Sequence, residues 1–83
     1  MKEFLHFTAD WCNPCKKMAP VIEKFINDNP DIKYVKIDVD KEIDLVSEYR
    51  IQSVPTFIAL VDGKIHNLLG GVKPESVIRS IFG

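Results

Sequence analysis

The 83-residue chain has two cysteines and no more, three positions apart, so no disulfide framework ties distant segments together. Charge of one sign is also missing: 11 basic and 12 acidic residues leave a net −1, with no field to draw nucleic acid or anionic lipid. Neither partner is expected. No apolar run nears the ~20 residues that cross a bilayer as a helix. There is no internal repeat, no low-complexity run and no Gly/Ser linker, and the residues 1–83 are read as a single domain, expected to be monomeric. The opening MKEFLHFTADW has one lysine, an apolar run broken by Glu3 and His6, and no small-residue cleavage pattern, so it does not read as a signal peptide. A cytoplasmic setting is the default expectation. In a reducing compartment a lone cysteine pair makes a poor staple, and two ligands alone do not complete a structural zinc site. Catalytic or redox use gains weight.

What is present is a clear succession of elements within a 46% hydrophobic chain. EFLHFT (3–8) reads as a buried strand. From Asn13 the spacing turns helical, with Met18, Val21, Ile22, Phe25 and Ile26 on one face, and Asn29 and Pro30 stop it. IKYVKIDV (32–39) alternates Val35, Ile37 and Val39 as a second strand. Asp40 is placed to cap a short helix over 41–49 whose Ile43, Val46 and Tyr49 share a face. TFIALV (56–61) and KIHNLL (64–69) flank Asp62-Gly63, a two-residue hairpin connection. Gly70 and Gly71 break the second of these strands, and Pro74 opens a last helix with Val77, Ile78, Ile81 and Phe82 inward. The order βαβαββα implies an α/β fold: a mixed four-stranded sheet with helices on both faces. The loop after the first strand then lies at the carboxyl edge, where open α/β sheets place their sites.

That loop holds ADWCNPCKKMAP (9–20). A helix starting near Asn13 puts Cys12 at the N-cap and Cys15 at the third helical position, so free first-turn N–H groups point at the Cys12 sulfur. The macrodipole and the Cys15 N–H then favour a thiolate, lowering a thiol pKa from about 8.5 toward neutrality. Pro14 costs no hydrogen bond in the first turn and stiffens the link, so a bond between the two sulfurs closes easily. Its loop is too short to add much stability, which suits a bond that opens and closes. Lys16 and Lys17 oppose the macrodipole; they either support the Cys12 anion or are simply good exposed helix formers.

The segment resembles the active-site stretch of the thioredoxin family, W-C-G-P-C-K with a second proline five residues on, here Pro20. The likeness continues in order through VKIDVD (35–40), IQSVPTF (51–57), DGK (62–64) and GGVKPE (70–75). It implies a minimal thioredoxin fold and a protein-disulfide reductase. By the resemblance, Cys12 is the exposed attacking thiolate and Cys15 the buried resolving thiol, joined as a disulfide when oxidised. Val54-Pro55 takes the family's cis-proline place, Trp11, Val54, Pro55 and Gly71 form the surface that docks substrate, and Pro20 kinks the helix. No cofactor is implied beyond the cysteine pair; the partners are disulfide-bearing proteins and a thioredoxin reductase or another thiol donor.

Three departures stand out. These residues hold only the core that glutaredoxin-like proteins share, without the family's additional first strand and helix. Asn13 replaces the usual glycine between the cysteines. His6 occupies the place of a buried aspartate thought to take the proton of the resolving thiol, and Lys36 on the adjacent strand loses that carboxylate partner. A neutral imidazole suits a proton acceptor near pH 7; the alternative is a core histidine bonded to a neighbour. Either Lys36 leans to solvent or His6 stays neutral, since two buried cations repel. His66 reads as a surface residue. Two other functions stay open, a glutathione-dependent glutaredoxin-like reductase and a non-catalytic binding subunit, and beyond them a metal bridged by Cys12 and Cys15 across a dimer.

Overall fold

A strand with large apolar groups at both parities needs cover on both faces, and the first strand is of this kind. In the computed structural model, which describes residues 1–83, β1 (Lys2–Thr8) buries Phe4 on one face and Leu5 and Phe7 on the other. It is accordingly central. The elements that follow are α1 (Asn13–Asp28), β2 (Lys33–Asp38), α2 (Ile43–Glu48), β3 (Thr56–Val61), β4 (Lys64–Gly70) and α3 (Glu75–Ser80). The sheet order is β2-β1-β3-β4, with β1 parallel to β2 and the other two pairings antiparallel. The register sets His6 beside Lys36 on β2 and beside Phe57 on β3.

One core joins Phe4, Phe57 and Ala59 to Met18, Ile22 and Phe25 of α1 and to Ile78 and Ile81 at α3. Phe4, wholly buried, stacks on Phe57 at 5.7 Å between ring centroids and meets Phe25 edge-on at 5.2 Å. Aromatic pairs in these geometries add to what area burial alone gives. The second core, on the opposite face, packs Leu5, Phe7, Ile37, Ile58 and Leu60 under Leu45, Val46 and Tyr49. Helices therefore lie on both faces, as expected from the element order.

α1 is capped by Cys12 at its start and by Asn29 at its end, whose side-chain amide donates to the Phe25 carbonyl at 2.8 Å. α2 departs from expectation. Its N-cap is Glu42 without a side-chain cap, because Asp40 is engaged elsewhere: its N–H donates to the Asp38 carboxylate at 2.9 Å and its own carboxylate serves Trp11. With the start moved to Ile43, that side chain is 68% exposed, and Leu45 takes its place on the buried face. The helix ends with Arg50 at φ 54, its N–H bonded to the Ser47 carbonyl and that of Ile51 to the Val46 carbonyl, a Schellman ending with a non-glycine residue.

The hairpin forms at Asp62-Gly63, both at positive φ (53 and 81), the requirement of a two-residue primed turn. There the Asp62 N–H donates to the Met1 carbonyl at 2.8 Å, and the Asp62 carboxylate pairs with the Met1 ammonium. Gly70 does not break β4 but closes it opposite Thr56; the chain turns at Gly71, φ 86. In the last segment Ile78 and Ile81 are buried, while Val77 and Phe82 are only half-buried.

Candidate active site

Cys12 has the extended backbone of an N-cap residue (φ −88, ψ 104), and its sulfur accepts the Cys15 N–H at 3.1 Å. Pro14 occupies the first turn, where its missing N–H leaves no carbonyl unpaired. The two cysteines form a disulfide, with their Cα atoms 5.3 Å apart. Cys12 is not exposed as the resemblance implied. In this oxidised form it is 3% accessible and Cys15 4%, because both pack with Ala9 against Val39 and Val54. Lys16 and Lys17 are exposed beside them.

Around the disulfide the fold assembles residues from four segments. Trp11 is 65% exposed, its indole N–H held by the Asp40 carboxylate at 2.8 Å. Val54-Pro55 is a cis peptide; Pro55 is buried, and its carbonyl accepts the Gly71 N–H at 2.9 Å. Trp11, Val39, Val46, Ile51 and Val54 line an apolar cleft of about 240 Å³. The expected docking residues Trp11, Val54, Pro55 and Gly71 are thus brought to one edge. Asp40, which anchors Trp11, was missed by sequence reasoning because its place before a helix read as a cap.

His6 lies beneath this edge, 4% accessible, its ring stacked on Phe57 at 4.9 Å. Its Nδ1 is 2.9 Å from the Tyr34 hydroxyl, and its Nε2 is buried without a partner. Tyr34 was not singled out from the sequence; its signal was parity, since it shares a strand face with Lys36. A second cleft, of about 270 Å³, is lined by His6, Cys15, Tyr34 and Lys36 among others. Burial first, and the charge of Lys36 second, push the His6 pKa down from 6.5 to about 4. Both branches of the expectation therefore hold: Lys36 is exposed and His6 is neutral. His66 is exposed on β4, as read.

This histidine makes stability depend on pH. Between the two values the unfolded chain binds a proton that the folded one refuses, so stability rises with pH there. It is complete above about 6.5 and declines as pH falls toward about 4, by about 3 kcal/mol in all. Urea unfolding from pH 8 to pH 4 should show a steeper loss for the wild type than for His6→Leu. Equal slopes would show that His6 protonates as easily in the fold as outside it.

A mixed four-stranded sheet carrying a C-x-x-C disulfide at the first turn of its long helix defines a thiol–disulfide oxidoreductase of the thioredoxin fold. The sequence model of the Thioredoxin family matches residues 2–82. Thioredoxin of Mycoplasmoides gallisepticum is 38% identical over 81 residues, covering 98% of this chain and 81% of that protein. Oxidised mitochondrial thioredoxin 3 of Saccharomyces cerevisiae superposes with a TM-score of 0.89 at 36% identity, over 98% of this chain and 76% of that one. Thioredoxin of Trypanosoma brucei brucei gives 0.92 at 32% identity, over 99% and 72%. The chain belongs to the thioredoxin family.

Proposed function

We propose that the protein reduces protein disulfides, with Cys12 as nucleophile and Cys15 as resolving thiol. The observation that carries this is the Cys15 N–H donated to the Cys12 sulfur at the helix start, which favours negative charge on Cys12 and on no other sulfur. In the reduced protein the Cys12 thiolate attacks a substrate disulfide, forming a mixed disulfide and expelling one substrate thiolate. Cys15 then loses its proton and attacks Cys12; the Cys12–Cys15 bond forms and the second substrate thiolate leaves. Two electrons pass from the cysteine pair to the substrate, and a thiol donor or a reductase returns them.

Trp11, Val54, Pro55 and Gly71 receive the substrate in this reading. The apolar cleft beside Trp11 takes a side chain flanking the disulfide, and the backbone at Val54, on the lining of that cleft, takes an extended peptide. The family comparisons favour a thioredoxin-type partner over glutathione.

Direction is tested by equilibrating the protein with a dithiothreitol or glutathione series and reading the oxidised fraction. A potential more reducing than the glutathione couple is expected. A value near those of oxidising folding catalysts would make the protein an oxidase and overturn the reductase reading.

A further inference from the structure

His6 Nε2 is the one buried side-chain polar atom in the chain without a hydrogen-bond partner. Such an atom costs stability, so its retention needs an account. The other ring nitrogen, Nδ1, lies 2.9 Å from the Tyr34 hydroxyl. Two proton arrangements satisfy that contact: the phenol donates to Nδ1, or Nδ1–H donates to the phenol oxygen. A phenol is much the better donor and an imidazole nitrogen much the better acceptor, since a phenol ionises near 10 and neutral imidazole gives up its N–H far less readily. Burial pushes the Tyr34 pKa up, which keeps its proton in place. With Nδ1 accepting, the ring's own proton sits on Nε2.

We propose that Tyr34 holds His6 as the Nε2–H tautomer, and that this N–H, on a ring that lines the same cleft as Cys15, donates a hydrogen bond to the Cys15 sulfur as it becomes anionic, directly or through one water. His6 is then a donor that stabilises the thiolate and not the base that creates it. The inference rests on Cys15 being the resolving thiol, as proposed above. In the resolving step the Cys15 S–H proton passes to solvent. The Cys15 sulfur bonds to the Cys12 sulfur, the bond from Cys12 to the substrate sulfur breaks, and that sulfur leaves with the electron pair. His6 keeps its proton throughout.

The surroundings agree with a neutral donor. The titratable groups around this cleft are Asp10, Cys15, Lys16, Glu23, Tyr34 and Lys36, and β3 presents only the ring of Phe57 to the imidazole. Burial and Lys36 both oppose an imidazolium, so taking a full proton from a thiol is the harder course for this ring. Donating a hydrogen bond to an anion asks for no change of charge, and a bond to a charged group is worth more than one to a neutral group. Tyr34 acts here as a positioning residue.

The test joins a spectroscopic readout to a kinetic one. Ring ¹⁵N shifts of His6 in the reduced wild type should show a single Nε2–H tautomer from pH 6 to pH 9, and Tyr34→Phe should mix the two. Reduced protein mixed with an excess of a chromogenic aromatic disulfide releases one thiol on attack by Cys12 and a second on resolution by Cys15. His6→Leu should slow the second release roughly tenfold at pH 7, the equivalent of one pH unit, by moving its titration to higher pH. At high pH it should converge with the wild type, because the thiol is then ionised without help. Tyr34→Phe should fall between them, and it carries the kinetic test if His6→Leu does not fold. An Nδ1–H tautomer in the wild type, an unchanged profile, or a loss of equal size at every pH overturns the proposal. Second release as fast in Cys15→Ser as in the wild type would instead overturn the resolving role of Cys15, whatever the tautomer.

Discussion

Replacing Cys12 by serine is expected to bring disulfide reduction down to the uncatalysed background, while Cys15→Ser keeps the first attack and strands the substrate on Cys12. Each substitution changes one atom, sulfur to oxygen, and the geometry makes the two losses unequal. The Cys12 sulfur receives the first-turn N–H, an arrangement that favours negative charge on that sulfur over its neighbour. A serine hydroxyl at the same N-cap accepts that hydrogen bond but does not ionise near neutral pH, so the fold survives and the nucleophile does not. Cys15 lies at the third helical position, buried against Ala9 and Cys12. Without its sulfur nothing nearby displaces the bound substrate. Mass spectrometry of Cys15→Ser after exposure to a disulfide-bearing protein should show one substrate chain per molecule, released by dithiothreitol. Adducts forming instead on Cys12→Ser, through Cys15, would reverse the assignment of the two sulfurs.

Phe4→Ala is expected to remove a large share of the protein's stability. The ring is wholly buried and shares its cluster with Phe25, Phe57, Tyr34 and Phe82, so its deletion opens a cavity that large, rigid neighbours do not refill. Phe→Ala changes at such sites cost about 3–5 kcal/mol. At about 0.05–0.15 kcal/mol per residue, a chain of this size has roughly 4–12 kcal/mol in total. The midpoint of thermal unfolding should fall by about 15 °C or more, at roughly 4–8 °C for each kcal/mol in a small domain. Leu68→Ala, on the exposed edge strand, is the control and should lie within about 0.5 kcal/mol of wild type. A Phe4→Ala midpoint only a few degrees below wild type would mean that the aromatic cluster repacks.

What the sequence made legible follows from how local its signals are. EFLHFT and IKYVKIDV are short, β-rich runs, and Asp62-Gly63 names its own turn, so the strands and the hairpin were readable. The long helix was readable from its spacing, and Cys12 at its cap from the change of pattern at Asn13. Asp40 was misread because its carboxylate goes to an indole 29 positions away, a contact that no local rule reports. The exposure of Cys12 was misjudged for a similar reason: Val39 and Val54, which cover it, come from other segments. His6 was recognised as unusual and a bonded neighbour was one of its two readings, yet that neighbour was not named, and only Lys36, directly across the strand pair, was weighed against it. The hydroxyl that meets it comes from Tyr34, the diagonal neighbour on the same face, within reach only because a tyrosine is long.

The pairing of Met1 with the hairpin turn has a practical side. The ammonium of the first residue and the Asp62 carboxylate sit where β1 begins and β3 ends, while the cysteine loop leaves β1 at its other end. A tether attached at this hairpin corner is therefore held at the far rim of the sheet, at the opposite end of β1 from the disulfide. Acylating that amine also removes the hydrogen bond and charge that hold the Asp62 carboxyl below its ordinary range, a change that an isotope-edited carboxylate spectrum registers without touching the redox pair.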